Sequence, residues 1–321
     1  MTHLPSSSTT ASAHPARSGP ASWATTAPHQ VSTTASKASS QTASTLKTPL
    51  QTHKESESSG DAHAPHVGGV AYFSTVDWPD HIASTVFLKG CPWRCSYCHN
   101  THLLSTKPSP GDLAWDDVLE ELDRRKDFLD AVVFSGGEPL SNTELANRAL
   151  EVKALGYLVG LHTNGTDPAR LHDLLSRATP QAHRLIDWVG LDIKAPFERY
   201  DEVTRVRGSA RPVLDSLDVL QTAKRESAPL CANLTLQGMP DPDPVFNYEL
   251  RTTLEPGIFD EQTLFRLAGE LLELGEENWV WQKCRAAGSI KEKPLNFNPE
   301  TTRKKLLKKE TKPNFKTIAI R

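Results

Sequence analysis

The chain has 321 residues, 37% of them apolar, and a formal net charge of −3; the length allows about two domains, and the apolar share is low for a single globular fold of that size. Near-neutral charge gives no argument for nucleic acid or a membrane surface, and no apolar run approaches the roughly 18 residues of a membrane span. The averages hide a break: from Met1 to His66 more than half of the residues are Ser, Thr or Ala, and only four are Leu or Val. Such a composition cannot bury enough apolar surface to offset the entropy of ordering it. Residues 1–66 are therefore expected to be a disordered tail, and they lack the apolar core of a secretory signal.

After Val67 the chain alternates between two kinds of element. Ser84–Leu88 predicts a buried strand that ends at Lys89-Gly90, just before a run of cysteines. A helix is expected over about Trp115–Lys126, where Trp115, Val118, Leu119 and Leu122 share a face. Asp130–Phe134 predicts the next strand and runs into Ser135-Gly136-Gly137-Glu138-Pro139. Helices are then expected over about Asn142–Leu155, Pro168–Arg177, Pro212–Arg225 and Asp260–Leu274, and strands over Tyr157–His162, Leu185–Ile193, Tyr248–Leu254 and Trp279–Gln282. Ser227–Val245, with four prolines, breaks the rhythm and is expected to be a surface insertion.

β-branched strands separated by amphipathic helices predict an α/β fold with a parallel sheet. About six units fit between residues 84 and 283, too few for a closed eight-stranded barrel but suited to a partial (β/α)6 barrel. The core is thus expected over residues 67–285. Residues 286–321 form a basic segment, with ten Lys and Arg against three Glu; it is expected to be solvated or to dock on an acidic partner. Chemistry in such sheets gathers at the carboxyl ends of the strands. Four polar clusters fall there: the cysteines, Gly136-Gly137-Glu138-Pro139, His162-Thr163-Asn164-Gly165 and Asp192-Ile193-Lys194.

Five cysteines, an odd number with three of them at Cys91, Cys95 and Cys98, do not make the even, dispersed set of a disulfide framework. They point to a reducing compartment, the cytoplasm, and to thiolate-bound metal. The C-x3-C-x2-C spacing can hold three corners of a cubane iron–sulfur cluster and leave the fourth iron open. Zinc, with Cys231, Cys284 or His99 as a fourth ligand, is the alternative, and buried inert thiols are another. Asp192 and Lys194 read alone would more often be a surface ion pair, and Gly136-Gly137-Glu138-Pro139 alone a tight turn that opens a helix.

The cysteine loop followed by Gly-Gly-Glu-Pro after the next strand resembles the radical S-adenosylmethionine (SAM) superfamily, over about residues 68–285. The resemblance implies a [4Fe-4S] cluster on Cys91, Cys95 and Cys98, with SAM chelated at the open iron and cleaved by one electron to a 5′-deoxyadenosyl radical. It also implies that Tyr97 and the backbone near His99 meet the adenine. Gly136 and Gly137 would allow close approach, with Glu138 beside the SAM ammonium. Lys194 would neutralise the SAM carboxylate, oriented by Asp192, and Thr163 and Asn164 complete the expected cofactor-binding set.

Cys98-His99-Asn100, Thr163-Asn164-Gly165 and Asp192-Ile193-Lys194 are similar to glycyl-radical-enzyme activases. The lead-in Val67-Gly68-Gly69-Val70, Ser74-Thr75-Val76-Asp77-Trp78-Pro79 and Arg251-Thr252-Thr253 resemble the branch that activates anaerobic ribonucleoside-triphosphate reductase. This implies a protein substrate, an anaerobic ribonucleotide reductase whose glycine becomes a radical, and an electron donor such as flavodoxin or ferredoxin. A radical SAM enzyme acting on a small molecule or modified base is the rival reading, and a non-catalytic metal-binding module the second. One departure stands out: His162 occupies a position where activases commonly carry Asp. A neutral imidazole cannot replace a carboxylate around a cation, which puts any cation site there in question; His162 is otherwise read as a core histidine.

Overall fold

Eight strands and seven α-helices are found among the described residues of the computed structural model, namely 67–180, 183–232, 246–285, 294–308 and 315–321. The expected tail, Cys231's side chain and residues 233–245 of the expected insertion lie outside them. β1 (Val67–Ser74) runs antiparallel to β2 (Ala83–Leu88). From β2 the sheet is parallel and each strand pairs with the next: β3 (Ala131–Gly136), β4 (Leu158–Thr163), β5 (Trp188–Asp192), β6 (Asn247–Leu254), β7 (Asn278–Lys283) and β8 (Thr317–Ile320). The connections carry α1 (Trp115–Arg125), α2 (Leu145–Ala154), α3 (Pro168–Ser176), α4 (Tyr200–Thr204), α5 (Ala210–Ala232), α6 (Glu261–Glu273) and α7 (Pro299–Leu307).

The expected α/β fold with a parallel sheet forms, and β2 to β7 are the six expected strands. β1 and β8 extend the sheet at its two edges. Gly68-Gly69 hides β1 from a strand pattern, and β8 is four residues inside a basic segment. Since α7 and β8 come from residues 286–321, the sheet continues past residue 285. Local chemistry sets several boundaries. Asp167 caps α3 by accepting from Arg170 N at 2.9 Å, and Asp260 caps α6 by accepting from Thr263 N at 2.7 Å. Asn142 turns the chain by accepting from Glu144 N at 2.9 Å, so α2 starts later than expected. α5 runs to Ala232 and takes in the first residues of the expected insertion.

Successive strand residues point to opposite faces, and here the two faces differ in chemistry. Val86, Leu88, Val132, Phe134, Val159, Leu161, Val189 and Leu191 join the helices' buried stripes in one large apolar core. The other face begins, near the strand starts, with a small cluster of Trp78, Ala83, Ala131, Val133 and Trp188. Trp78, from the β1–β2 loop, stacks on Trp188 with centroids 5.4 Å apart and lies where a Cβ on Gly160 would fall. Towards the strand ends this face turns polar, with Ser135, His162, Asp192, Arg251 and Thr253.

Lys89 leaves β2 just ahead of the cysteines and is 1% exposed. Its ammonium donates to Lys107 O (2.7 Å), Ser109 Oγ (2.7 Å) and Asp112 Oδ2 (2.8 Å), which uses all three donors. Removing one partner of a buried pair leaves the other charge uncompensated. Lys89→Met is therefore expected to lower stability by about 3 kcal/mol, read as a shift of the urea midpoint at unchanged slope.

Candidate functional site

The twelve residues singled out from the sequence all line one cleft at the carboxyl ends of β2 to β6. These are Cys91, Cys95, Tyr97, Cys98, His99, Gly136, Gly137, Glu138, Thr163, Asn164, Asp192 and Lys194. The cleft also takes in Trp93, Asn100, Ser135, His162, Arg251 and Thr253, which were not in that set.

The cysteine loop is held by main-chain bonds rather than by its thiols. Gly90 N donates to Leu103 O at 2.8 Å, and Cys91 N donates to Leu104 O at 3.3 Å. Arg94 N and Ser96 N donate to Thr204 O (2.9 Å) and Val203 O (3.0 Å), the last carbonyls of α4. Helix carbonyls at that end have no intrahelical donor, so α4 presents acceptors and the loop uses them. Trp93, 2% exposed, packs edge-on against Tyr200 of α4 at 6.2 Å. No sequence signal marked α4: five residues are too few to show a helical period.

Gly136 and Gly137 let two stretches of backbone approach closely. A Cβ on Gly137 would lie 2.3 Å from Gly90 O, and one on Gly136, at φ +121°, would lie 2.3 Å from Leu88 O. The missing side chains thus let β3's end dock on the start of the cysteine loop, where Gly137 N donates to Leu88 O (2.9 Å) and Glu138 N to Gly90 O (2.7 Å).

Glu138 is 1% exposed and joins two loops. Its Oε1 accepts from Leu140 N (2.9 Å) and Thr163 Oγ1 (2.6 Å), and its Oε2 accepts from Asn164 N (2.8 Å). Burial pushes the carboxyl up to about 7 against the opposing pull of these three donors. Thr163 Oγ1 also accepts from Gly165 N (3.0 Å), and Asn164 Oδ1 accepts from Thr166 N (3.1 Å). The Thr-Asn-Gly turn therefore uses most of its polar atoms on itself and on Glu138. Asn164 Nδ2 remains directed at Cys91 Sγ, 3.8 Å away.

On the opposite wall, Arg251 Nε and Nη2 donate to Asp192 Oδ1 at 3.0 and 2.7 Å, and Lys194 Nζ lies 3.4 Å from Asp192 Oδ2. Burial raises the Asp192 carboxyl, but Arg251 and Lys194 outweigh it and hold the group below its usual range. Lys194 also lies over the Tyr97 ring, 6.0 Å from its centroid. His162, 8% exposed, donates from Nε2 to Asp77 O at 2.7 Å and meets Trp188 edge-on at 5.6 Å. Burial first, then Arg251, lowers its pKa to about 3, so the ring is neutral. It is a satisfied core histidine at the floor of the cleft.

The three cysteines line the cleft as free thiols. Burial pushes the Cys91 thiol up to about 11 and raises that of Cys95, against the pull of Lys194. Metal binding must therefore displace protons here. Among the described residues no three His, Cys, Asp or Glu side chains close on a single ion position. A cubane takes each cysteine on a different iron, and three thiols on one loop beside a cation-lined wall fit that demand. Cys284, after β7, has its Sγ 3.7 Å from His99 Nε2 and is not among the residues lining the cleft. No described helix is long and apolar enough to cross a membrane.

Residues 85–239 match the profile of the Radical SAM superfamily. The chain is 28% identical over 204 residues to a protein of Methanocaldococcus jannaschii named as a glycyl-radical enzyme activating enzyme, covering 63% of this chain and 73% of that one. It is 30% identical over 142 residues to the 7-carboxy-7-deazaguanine synthase of Halobacterium salinarum (41% and 54% covered). With the pyruvate formate-lyase-activating enzyme of Clostridium pasteurianum it shares 33% identity over 124 residues (37% and 48%). The chain thus spans about half the length of the last two relatives.

Glu138 generates a test. Glutamine in its place would turn an NH2 towards one of the three donors, so below pH 4.5 Glu138→Gln is expected to destabilise by about 2 kcal/mol. The pH response has a definite sign. With the folded carboxyl raised from 4.5 to about 7, the native state holds the proton more tightly than the unfolded chain. The group's stabilisation is then full below pH 4.5 and lost as pH rises to about 7. Urea titrations across that range should show wild type losing stability relative to Glu138→Gln.

Proposed function

We propose, from the match of residues 85–239 to the Radical SAM superfamily, that the chain is a glycyl-radical-enzyme activase. The observation that carries the cofactor part is the meeting, in one cleft, of the Cys91–Cys95–Cys98 loop with the Asp192–Lys194–Arg251 wall and the Glu138 turn. The protein-substrate part draws on the likeness to named activating enzymes in two separate groups of relatives.

In this reading Cys91, Cys95 and Cys98 hold three irons of a [4Fe-4S] cluster. When bound, cluster and SAM together supply one-electron cleavage of the sulfonium and hydrogen-atom abstraction from a glycine. The protein's part is to bind, orient and exclude water. Lys194 presents its ammonium to the SAM carboxylate, Asp192 holds that ammonium in place, and the ring of Tyr97 gives the adenine a buried flat surface. Glu138 fixes the Thr163–Asn164 turn, which in turn directs Asn164 at Cys91. The partner is proposed to be an anaerobic ribonucleotide reductase, on the strength of the Arg251-Thr252-Thr253 and lead-in motifs. The electron donor is proposed to be a flavodoxin or ferredoxin, and the compartment the cytoplasm.

The likeness to 7-carboxy-7-deazaguanine synthase supports a second reading, a radical SAM enzyme with a small-molecule substrate. One experiment separates the two. Anaerobically reconstituted protein, reduced and given SAM, should generate a glycyl signal by electron paramagnetic resonance on the reductase encoded in the same genome. Cys95→Ala should lose SAM cleavage to background while unfolding at a similar temperature, since a single loop ligand is removed. SAM consumption with a small molecule and no glycyl signal on any partner would reverse the choice.

A further inference from the structure

The wall of the cleft holds two cations around one carboxylate, and the sheet is built to keep them there. Arg251 stands opposite Asp192 in the β5–β6 register and is 5% exposed. Both of its bonds fall on Asp192 Oδ1, and Oδ2 faces Lys194. Asp192 Oδ1 is therefore taken by the guanidinium, and an ion at Oδ2 would have to sit beside the Lys194 ammonium. Space for the guanidinium is provided by Gly190, where a Cβ would lie 2.9 Å from Arg251 Cζ and 3.0 Å from Nε.

The strand on the other side adds no charge. Gly190 pairs with His162 of β4, whose ring is bonded to Asp77 O. The remaining acids nearby are engaged elsewhere: Glu138 by three neutral donors, and Asp77 by Thr85 Oγ1 at 2.7 Å, outside the residues that line the cleft. Hard cations favour oxygen ligands, carboxylates above all, and His162 brings a neutral nitrogen ring to the position where an activase commonly carries a second carboxylate.

We propose that Arg251 is the resident counter-cation of this cleft, a positioning residue whose guanidinium fixes Asp192 so that SAM is held without a monovalent metal ion. The inference rests on the SAM-binding part of the function proposed above and not on the identity of the partner.

The test uses the cluster-loaded protein and measures SAM affinity by equilibrium dialysis, together with the thermal midpoint. Buffers contain tetramethylammonium as the only cation, or added potassium or sodium. Wild type should bind SAM equally within about twofold in all of them, at matched ionic strength, and potassium should leave its midpoint unchanged. Arg251→Gln should weaken binding about tenfold in tetramethylammonium and gain a response to potassium. Arg251→Lys keeps the charge without the two-pronged grip and should stay indifferent to potassium. Potassium-dependent SAM binding by wild type would overturn the inference, even if Arg251→Gln fails to fold. So would a folded Arg251→Gln that binds as wild type, or a loss shared by Gln and Lys that potassium does not relieve. Absence of SAM binding in every buffer would instead remove the cofactor reading, and this inference with it.

Discussion

The architecture at the mouth of the sheet depends on how closely two backbones approach each other. Residues 136–138 lie against residues 88–90 at a distance that no side chain tolerates, because a Cβ on either glycine would fall 2.3 Å from a carbonyl oxygen. That contact makes two main-chain hydrogen bonds possible, and through Gly90 it fixes where the cysteine loop begins. The loop's middle is fixed by the carbonyls of α4. Main-chain bonds have thus replaced the thiols as structural anchors. Three cysteines can then line a cleft without being needed to hold it together, which is what a ligand-bearing loop requires of its fold.

From this anchoring follows a division of labour among the buried acids. Glu138 is buried and Asp192 half-buried in the same cleft, and loss of water acts on both in the same direction, disfavouring charge. Their neighbours decide the outcome. Glu138 meets two amides and a hydroxyl, dipoles that do not overcome its desolvation. Asp192 meets a guanidinium and an ammonium, whole charges in a low-dielectric setting, and stays ionised. The first acid serves as a joint between loops, and the second as the counter-charge of a cationic wall. Two carboxylates on one cleft with opposed environments do different work, although the sequence displays them alike at strand ends.

That contrast marks the limit of what was legible in the sequence. The strands β2 to β5 were visible because each is rich in apolar and β-branched residues, and α6 because Leu264, Leu267, Ala268 and Leu271 form one apolar stripe. The convergence of Cys91, Glu138, Asn164 and Lys194 was also legible, since parallel strands deliver successive loops to one end of a sheet. The partners of those residues were not. Arg251 lies 59 residues from Asp192, and only the register of β5 and β6 brings them together. α4 is shorter than any period can reveal, and β1 carries two glycines in a row, one of them packed where its Cβ would lie 2.2 Å from Leu103. Long-range pairs and short elements leave no local trace.

His162 shows how one departure can be bound to a distant part of the chain. At the floor of the cleft its ring donates to Asp77 O and rests edge-on against Trp188. Trp188 is in turn stacked by Trp78 from the same β1–β2 loop that supplies Asp77. An aspartate at 162 would have no proton to donate to that carbonyl. It would also add a third carboxylate beside Asp77 and Asp192, two groups already held in their ionised forms. The neutral ring avoids that repulsion and fastens the loop to β4. The identity of residue 162 is therefore set as much by the Trp78 plug at the strand starts as by the chemistry at the strand ends, and Arg251 is left as the cation that meets Asp192 alongside Lys194.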